Sequence, residues 1–235
     1  RLATPPLAQV AQPRLVRLLA QGDRPAFVDL YQTLKAAFLV CVCSLAGTLA
    51  VLSRAALFAW TGDAALASHM APVLAVYAGA TGVSALFMPP YLLQFASGRT
   101  NLQLFGNIGF GAVLVPALFV CAARWHAFGV GAALLAGNLA FLAIWVPIVE
   151  RRFLTSTEGS VGPSRWAIPV AAMGAAIVIF SLAESLAPSR LGCAGLVAVT
   201  AAAALVIGGV ASKPLRRSLF ARARLGLAAL GARSV

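Results

Sequence analysis

Six stretches of this sequence stay apolar for about the twenty residues that a helix needs to cross a bilayer core. They are 36–53, 70–97, 102–123, 128–149, 167–186 and 191–211, and most end against a cation or histidine such as Lys35, Arg54, His69, Arg99 or Arg190. The apolar residues are continuous rather than alternating at every second position, so each run reads as a helix and not a strand. Helices also satisfy their own backbone inside a bilayer, segment by segment. The expected fold is therefore an all-α integral membrane protein with six transmembrane helices.

Composition agrees. Of 235 residues, 61% are apolar and 10% are charged, and the mean hydropathy is +0.91. A soluble domain holds about 45–50% apolar and about 25% charged residues. This apolar content excludes a disordered chain. Four cysteines in so long a chain exclude a disulfide scaffold.

The charge is one-sided: 18 Lys and Arg against 6 Asp and Glu, for a net +12. In a soluble protein such a balance points to nucleic acid. Laid along six alternating spans it points elsewhere. Fifteen cations fall on the side of the N-terminus, and only Arg54, Arg124 and Arg190 fall on the other. Positive-inside bias then places both termini in the cytoplasm. The cations become an orientation signal, and nucleic acid is not an expected partner.

Five regions follow from these spans. Residues 1–30 form a cytoplasmic linker, the end of a preceding element, with a short basic helix over 14–20. Gly22 stops that helix, and Asp23 caps the next with Pro25 in its first turn. Residues 31–152 hold a four-helix membrane core, 153–166 a cytoplasmic loop, and 167–211 a terminal transmembrane hairpin. Residues 212–235 form a basic tail with Leu215, Leu219, Ala223, Leu227 and Leu230 at helical spacing. It is either an interfacial helix on anionic membrane lipid or a frayed segment that only enforces orientation. The start at Arg1 in place of Met suggests that an earlier portion has been removed.

Ionisable residues inside a membrane are the first place to look for function, and the six runs contain only Glu184. Near the outer end of its span, it reads as an interfacial carboxylate paired with Arg190. His69 and His126 lie at the outer boundary and cannot build a metal site between them. Cys41, Cys43, Cys121 and Cys193 read as small apolar packing residues. No metal or cofactor is expected. The glycine-rich Gly106-Asn107-Ile108-Gly109-Phe110-Gly111 lies inside an apolar run with no strand before it, so it is a packing surface rather than a phosphate loop. Gly129, Ala133 and Gly137, and likewise Thr200, Ala204 and Gly208, are spaced to let helices approach closely. Pro89-Pro90, Pro116 and Pro169 are expected to bend or loosen their helices.

Amides are the remaining polar groups in the spans. Asn138 is central in its run, Asn107 lies about a turn and a half inside its own, and Gln94 and Gln103 flank the short loop that carries Arg99. Each amide bonds a neighbouring helix or faces a hydrated cavity; for Asn138 the helix bond is the preferred reading. Gln94, Arg99 and Gln103 form a polar cluster suited to a phosphate headgroup.

Several motifs, in order, resemble the polysaccharide-transporter branch of the flippase superfamily that includes O-antigen flippases and multidrug-and-toxin extruders. They are Pro6-Leu7-Ala8 through Gly22-Asp23, then Trp60-Thr61-Gly62-Asp63, then Pro90-Tyr91-Leu92-Leu93-Gln94-Phe95-Ala96-Ser97-Gly98-Arg99-Thr100. Asn107, Pro116 and Gly129-Val130-Gly131-Ala132-Ala133 follow. The resemblance covers residues 5–152. It implies one lobe of a two-lobed, MATE-like flippase plus a terminal helical hairpin, with the N-terminal lobe of the same protein as the missing partner. It also implies a bacterial inner-membrane transporter, not an enzyme. Its substrate would be an undecaprenyl-pyrophosphate-linked oligosaccharide, carried from the cytoplasmic to the periplasmic leaflet by alternating access. Burying a charged headgroup in hydrocarbon is costly, and a hydrated cavity between lobes removes that cost. Arg99 and Lys35 would then attract the pyrophosphate, while Gln94, Gln103, Asn107 and Asn138 meet sugar hydroxyls. One lobe lacks the opposite wall of such a cavity, so it is not expected to transport alone.

Two other readings compete. A cation-coupled extruder of the same superfamily needs a membrane carboxylate, and Glu184 is the one in the spans. An integral-membrane polysaccharide polymerase or ligase needs catalytic groups in a substantial outer loop, whereas the longest outer loop, 54–69, holds Asp63 as its sole acid.

Overall fold

In a computed structural model, the chain is described over residues 4–154, 164–182, 189–212 and 216. Glu184 and nearly all of the basic tail lie outside the described residues, as does most of the 153–166 loop. Among the described residues the fold is helical and has no strand. Its elements are α1 (Thr4–Ala20), α2 (Arg24–Val51), α3 (Ser53–Thr61), α4 (Ala64–Ala85), α5 (Met88–Ala96), α6 (Asn101–Phe153), α7 (Ser164–Ser181) and α8 (Arg190–Ala211).

The helix ends follow from local chemistry. Gly22 adopts a left-handed φ of 73° between α1 and α2. Asp23 then caps α2, its carboxylate accepting from the Ala26 N–H at 3.1 Å. Helix α2 thus begins twelve residues before the apolar run at Ala36, because the cap and not the hydropathy sets its start. A break at Leu52 separates α2 from α3. Helix α3 stops at Gly62, whose φ is 77°, and Asp63 caps α4 through bonds from the Ala65 and Leu66 N–H groups. Pro89 and Pro90 lie in the first turn of α5, where a missing N–H costs nothing, so the long second run is split into α4 and α5. By contrast, α6 and α7 run through Pro116 and Pro169 as helix.

The 53-residue α6 is two arms. His126 has φ 50° and ψ −140°, and the backbone reverses there. Gly106 lies against Trp145, Phe110 stacks on Phe141, and Leu114 stands 2.7 Å from where a Cβ of Gly137 would be. These pairs are symmetric about His126, as an antiparallel hairpin requires. The turn falls inside Arg124-Trp125-His126-Ala127, between the third and fourth apolar runs.

Among the described residues, four helical stretches are long and apolar enough to cross a membrane: Arg24–Val51, Ala64–Ala96, Asn101–Phe153 and Arg190–Ala211. The apolar part of α7 is shorter, Val170–Ile179. The fold of α6 at His126 divides the longest of these stretches into two antiparallel arms.

Helix α2 is the centre. It packs on α4 and α5 to one side and on α7 and α8 to the other, and α4 carries the second arm of α6. Glycines set these distances. A Cβ on Gly82 would stand 2.5 Å from that of Ala46, and one on Gly208 would overlap the Met173 side chain. Thr200 and Ala204 are buried along the same stripe of α8. The outward faces are strongly apolar: Phe105 is 71% exposed, Phe119 74% and Leu191 86%.

At one end of the bundle a core cluster joins Leu15 of α1, Phe27 and Tyr31 of α2, Leu92 and Leu93 of α5, and Trp145 and Val149 of α6. Residues 1–30, read from sequence as linker, thus supply a helix with side chains in this core. At the opposite end, Leu52, Ala55 and Cys193 form a smaller cluster.

Candidate functional site

Three amide side chains of the bundle gather where α5 turns into α6. Gly98, with φ 66°, lets the helix end close: its N–H donates to the Phe95 carbonyl, and the Arg99 N–H donates to the Gln94 carbonyl. The turn leaves the Arg99 side chain exposed just past the helix.

Gln94, fully buried on α5, begins a hydrogen-bonded series of amides. Its Nε2 donates to the Gln103 Oε1 at 2.9 Å and to the Pro90 carbonyl at 3.4 Å. Gln103 Nε2 donates in turn to Asn107 Oδ1 at 3.0 Å. The Gln103 oxygen also receives the Trp145 indole N–H at 3.4 Å. Two acceptors fix which way the Gln94 amide points, and its Oε1 is left buried with no partner among the described residues. Trp145 reaches the series because Gly106 has no side chain in its way, and Phe141 and Phe110 stack behind it. Gln94, Gln103 and Asn107 thus form one connected unit, joined to the Arg99 turn through the backbone bond from the Arg99 N–H to the Gln94 carbonyl. Asn107 lies at its exposed end, and its amide nitrogen can donate outward.

Lys35 and Asn138 lie apart from that unit. The Lys35 ammonium pairs with Glu150 at the end of α6, and Tyr31 donates its hydroxyl to the same carboxylate oxygen at 2.9 Å. Both members of the ion pair are mostly shielded, with side chains 21% and 13% exposed. Arg24 adds a bond from its guanidinium to the Phe153 carbonyl at 3.1 Å. Asn138 donates to the Ala80 carbonyl at 2.9 Å and so joins α6 to α4. It bonds a helix, the reading preferred from its position.

Sequence reasoning did not single out Tyr31, Trp145 or Glu150. A signal existed for the first and last. Tyr31 and Lys35 are four apart and share one helix face. Within 31–152 the acids are Asp63 and Glu150, and Asp63 is the cap of α4 at the other end of the bundle.

Arg190 has an unexpected role. Its guanidinium packs over Gly62 and donates to the carbonyls of Trp60 at 3.0 Å and Ala59 at 3.4 Å. A cation thus neutralises the free carbonyls that close α3. Among the described residues no group of three His, Cys, Asp or Glu side chains is placed to hold a metal.

Comparison of the chain with protein-family models, with curated proteins and with solved structures finds no match.

Proposed function

We propose that this chain is part of a bacterial inner-membrane transporter. In this reading it carries an undecaprenyl-pyrophosphate-linked oligosaccharide from the cytoplasmic to the periplasmic leaflet for surface polysaccharide synthesis. Long helices with apolar outer faces suit a bilayer better than water. Arg14, Arg17, Arg24, Lys35, Arg99, Arg151 and Arg152 fall at one end of the bundle, against Arg54, Arg124 and Arg190 at the other. That asymmetry supports a cytoplasmic Arg-rich end, with both termini on that side.

The observation that carries the functional reading is the amide series beside an exposed arginine. A pyrophosphate needs a cation and hydrogen-bond donors, and sugar hydroxyls need donors and acceptors in alternation. Arg99, Asn107 and the series behind them offer these at the cytoplasmic end. Lys35 contributes differently from Arg99, since Glu150 already neutralises it and a phosphate must compete for it.

The test is leaflet exchange of a fluorescent undecaprenyl-pyrophosphate oligosaccharide in liposomes. It uses the protein at the length its own cells produce, with an impermeant quencher as readout. Exchange well above protein-free liposomes, reduced about tenfold in R99A, is the expected result. Such a drop corresponds to about 1.4 kcal/mol, within the range of one charged hydrogen bond. Exchange no faster than without protein overturns the reading.

The cation-coupled alternative rests on one observation, the shielded carboxylate of Glu150. Sodium- or proton-dependent efflux that disappears in E150Q would favour it.

A further inference from the structure

Helix α1 is anchored to the bundle rather than trailing from it. Ala11 and Leu15, one turn apart, are buried, with Leu18 and Leu19 packed against the same core as Phe153 and Leu154 at the end of α6. The helix therefore turns Arg14 and Arg17, both exposed, away from the core, at the end of the bundle where Arg151 and Arg152 are also exposed. Acid on that end is sparse or committed. Asp23 caps α2, Glu150 is paired with Lys35, and Asp29 is the other acid there among the described residues.

We propose that α1 and the end of α6 form a docking surface for anionic phospholipid, with headgroup phosphates lying between Arg14 and Arg17 on one element and Arg151 and Arg152 on the other. The argument is charge complementarity on a fixed scaffold. Four guanidiniums are held by two elements that share one core cluster, at the level where an apolar bundle meets the headgroups. Arginine forks suit phosphate oxygens. Basic residues near an anionic leaflet also attract it individually. The proposal rests on the reading that the bundle spans a bilayer, but not on the substrate assigned above.

The test is native mass spectrometry of the detergent-solubilised protein with added phosphatidylglycerol or phosphatidylcholine. Retention of phosphatidylglycerol over phosphatidylcholine is expected, falling at least tenfold in R14Q/R17Q/R151Q/R152Q. The R54Q/R124Q variant, altered at the opposite end, is expected to retain it like the parent. Equal retention of the two lipids, or retention unchanged in the four-site variant, overturns the proposal. Protein that stays monodisperse in buffer without detergent overturns the membrane reading itself, a separate failure.

Discussion

Asn138 Nδ2 donates to the carbonyl oxygen of Ala80 across the α4–α6 contact, at 2.9 Å, with both residues buried. The bond ties the second arm of α6 to a neighbour that it meets side by side in the same direction, since Gly131 lies on Tyr77 and Asn138 on Ala80. A side-chain hydrogen bond between helices in a bilayer contributes about 0.6–2 kcal/mol. Asn138→Ala removes it and is expected to lower unfolding stability in micelles by about 1 kcal/mol. Asn138→Gln, too long for the site, is not expected to restore it.

Glu150 holds two groups of α2 at once, Tyr31 and Lys35. Breaking a shielded ion pair from one side costs more than removing both partners, because one charge stays behind. Glu150→Ala is expected to destabilise by about 2–3 kcal/mol. The Lys35→Met/Glu150→Leu double variant should recover much of that loss. A double-mutant cycle read from denaturant unfolding checks the coupling.

Three glycines of one motif are expected to respond in opposite directions. A Cβ on Gly106 would overlap the Trp145 ring, whereas Gly109 and Gly111 face open space. Gly106→Ala should cost about 1–3 kcal/mol by overpacking and should also displace Trp145 from Gln103, visible as a shift in tryptophan emission. Gly109→Ala and Gly111→Ala should leave stability unchanged or raise it by up to about 1 kcal/mol, through reduced backbone entropy loss.

His126 holds a backbone conformation that suits glycine, with φ 50° and ψ −140°. Such strain costs about 1–3 kcal/mol. His126→Gly is expected to raise the Tm, whereas His126→Val, branched at Cβ, should lower it. Both are read by thermal unfolding in the same detergent.

Much of the architecture was legible in the sequence because hydropathy and capping act locally. The Asp23 cap, the interruption at Pro89-Pro90 and the reversal between Arg124 and Ala127 each depend on a few adjacent residues. The small-residue stripe of α8 was legible too, since helical spacing alone places Thr200, Ala204 and Gly208 on one face. The amides were legible as a group, and the Gln94–Gln103 bond joins residues only nine apart.

Partners distant in sequence were not legible. Glu150 follows the fourth apolar run, and nothing local could show that Lys35, 115 residues earlier, would stand against it. Nor could anything local show that the Arg190 guanidinium would close α3, some 130 residues away; its expected partner, Glu184, lies outside the described residues. Sequence determined an apolar helical chain and the places where its helices start and stop, because those depend on composition and on contacts within a few residues. Which helices meet, which charges neutralise each other and which arginine stays exposed were decided only when packing brought distant segments together.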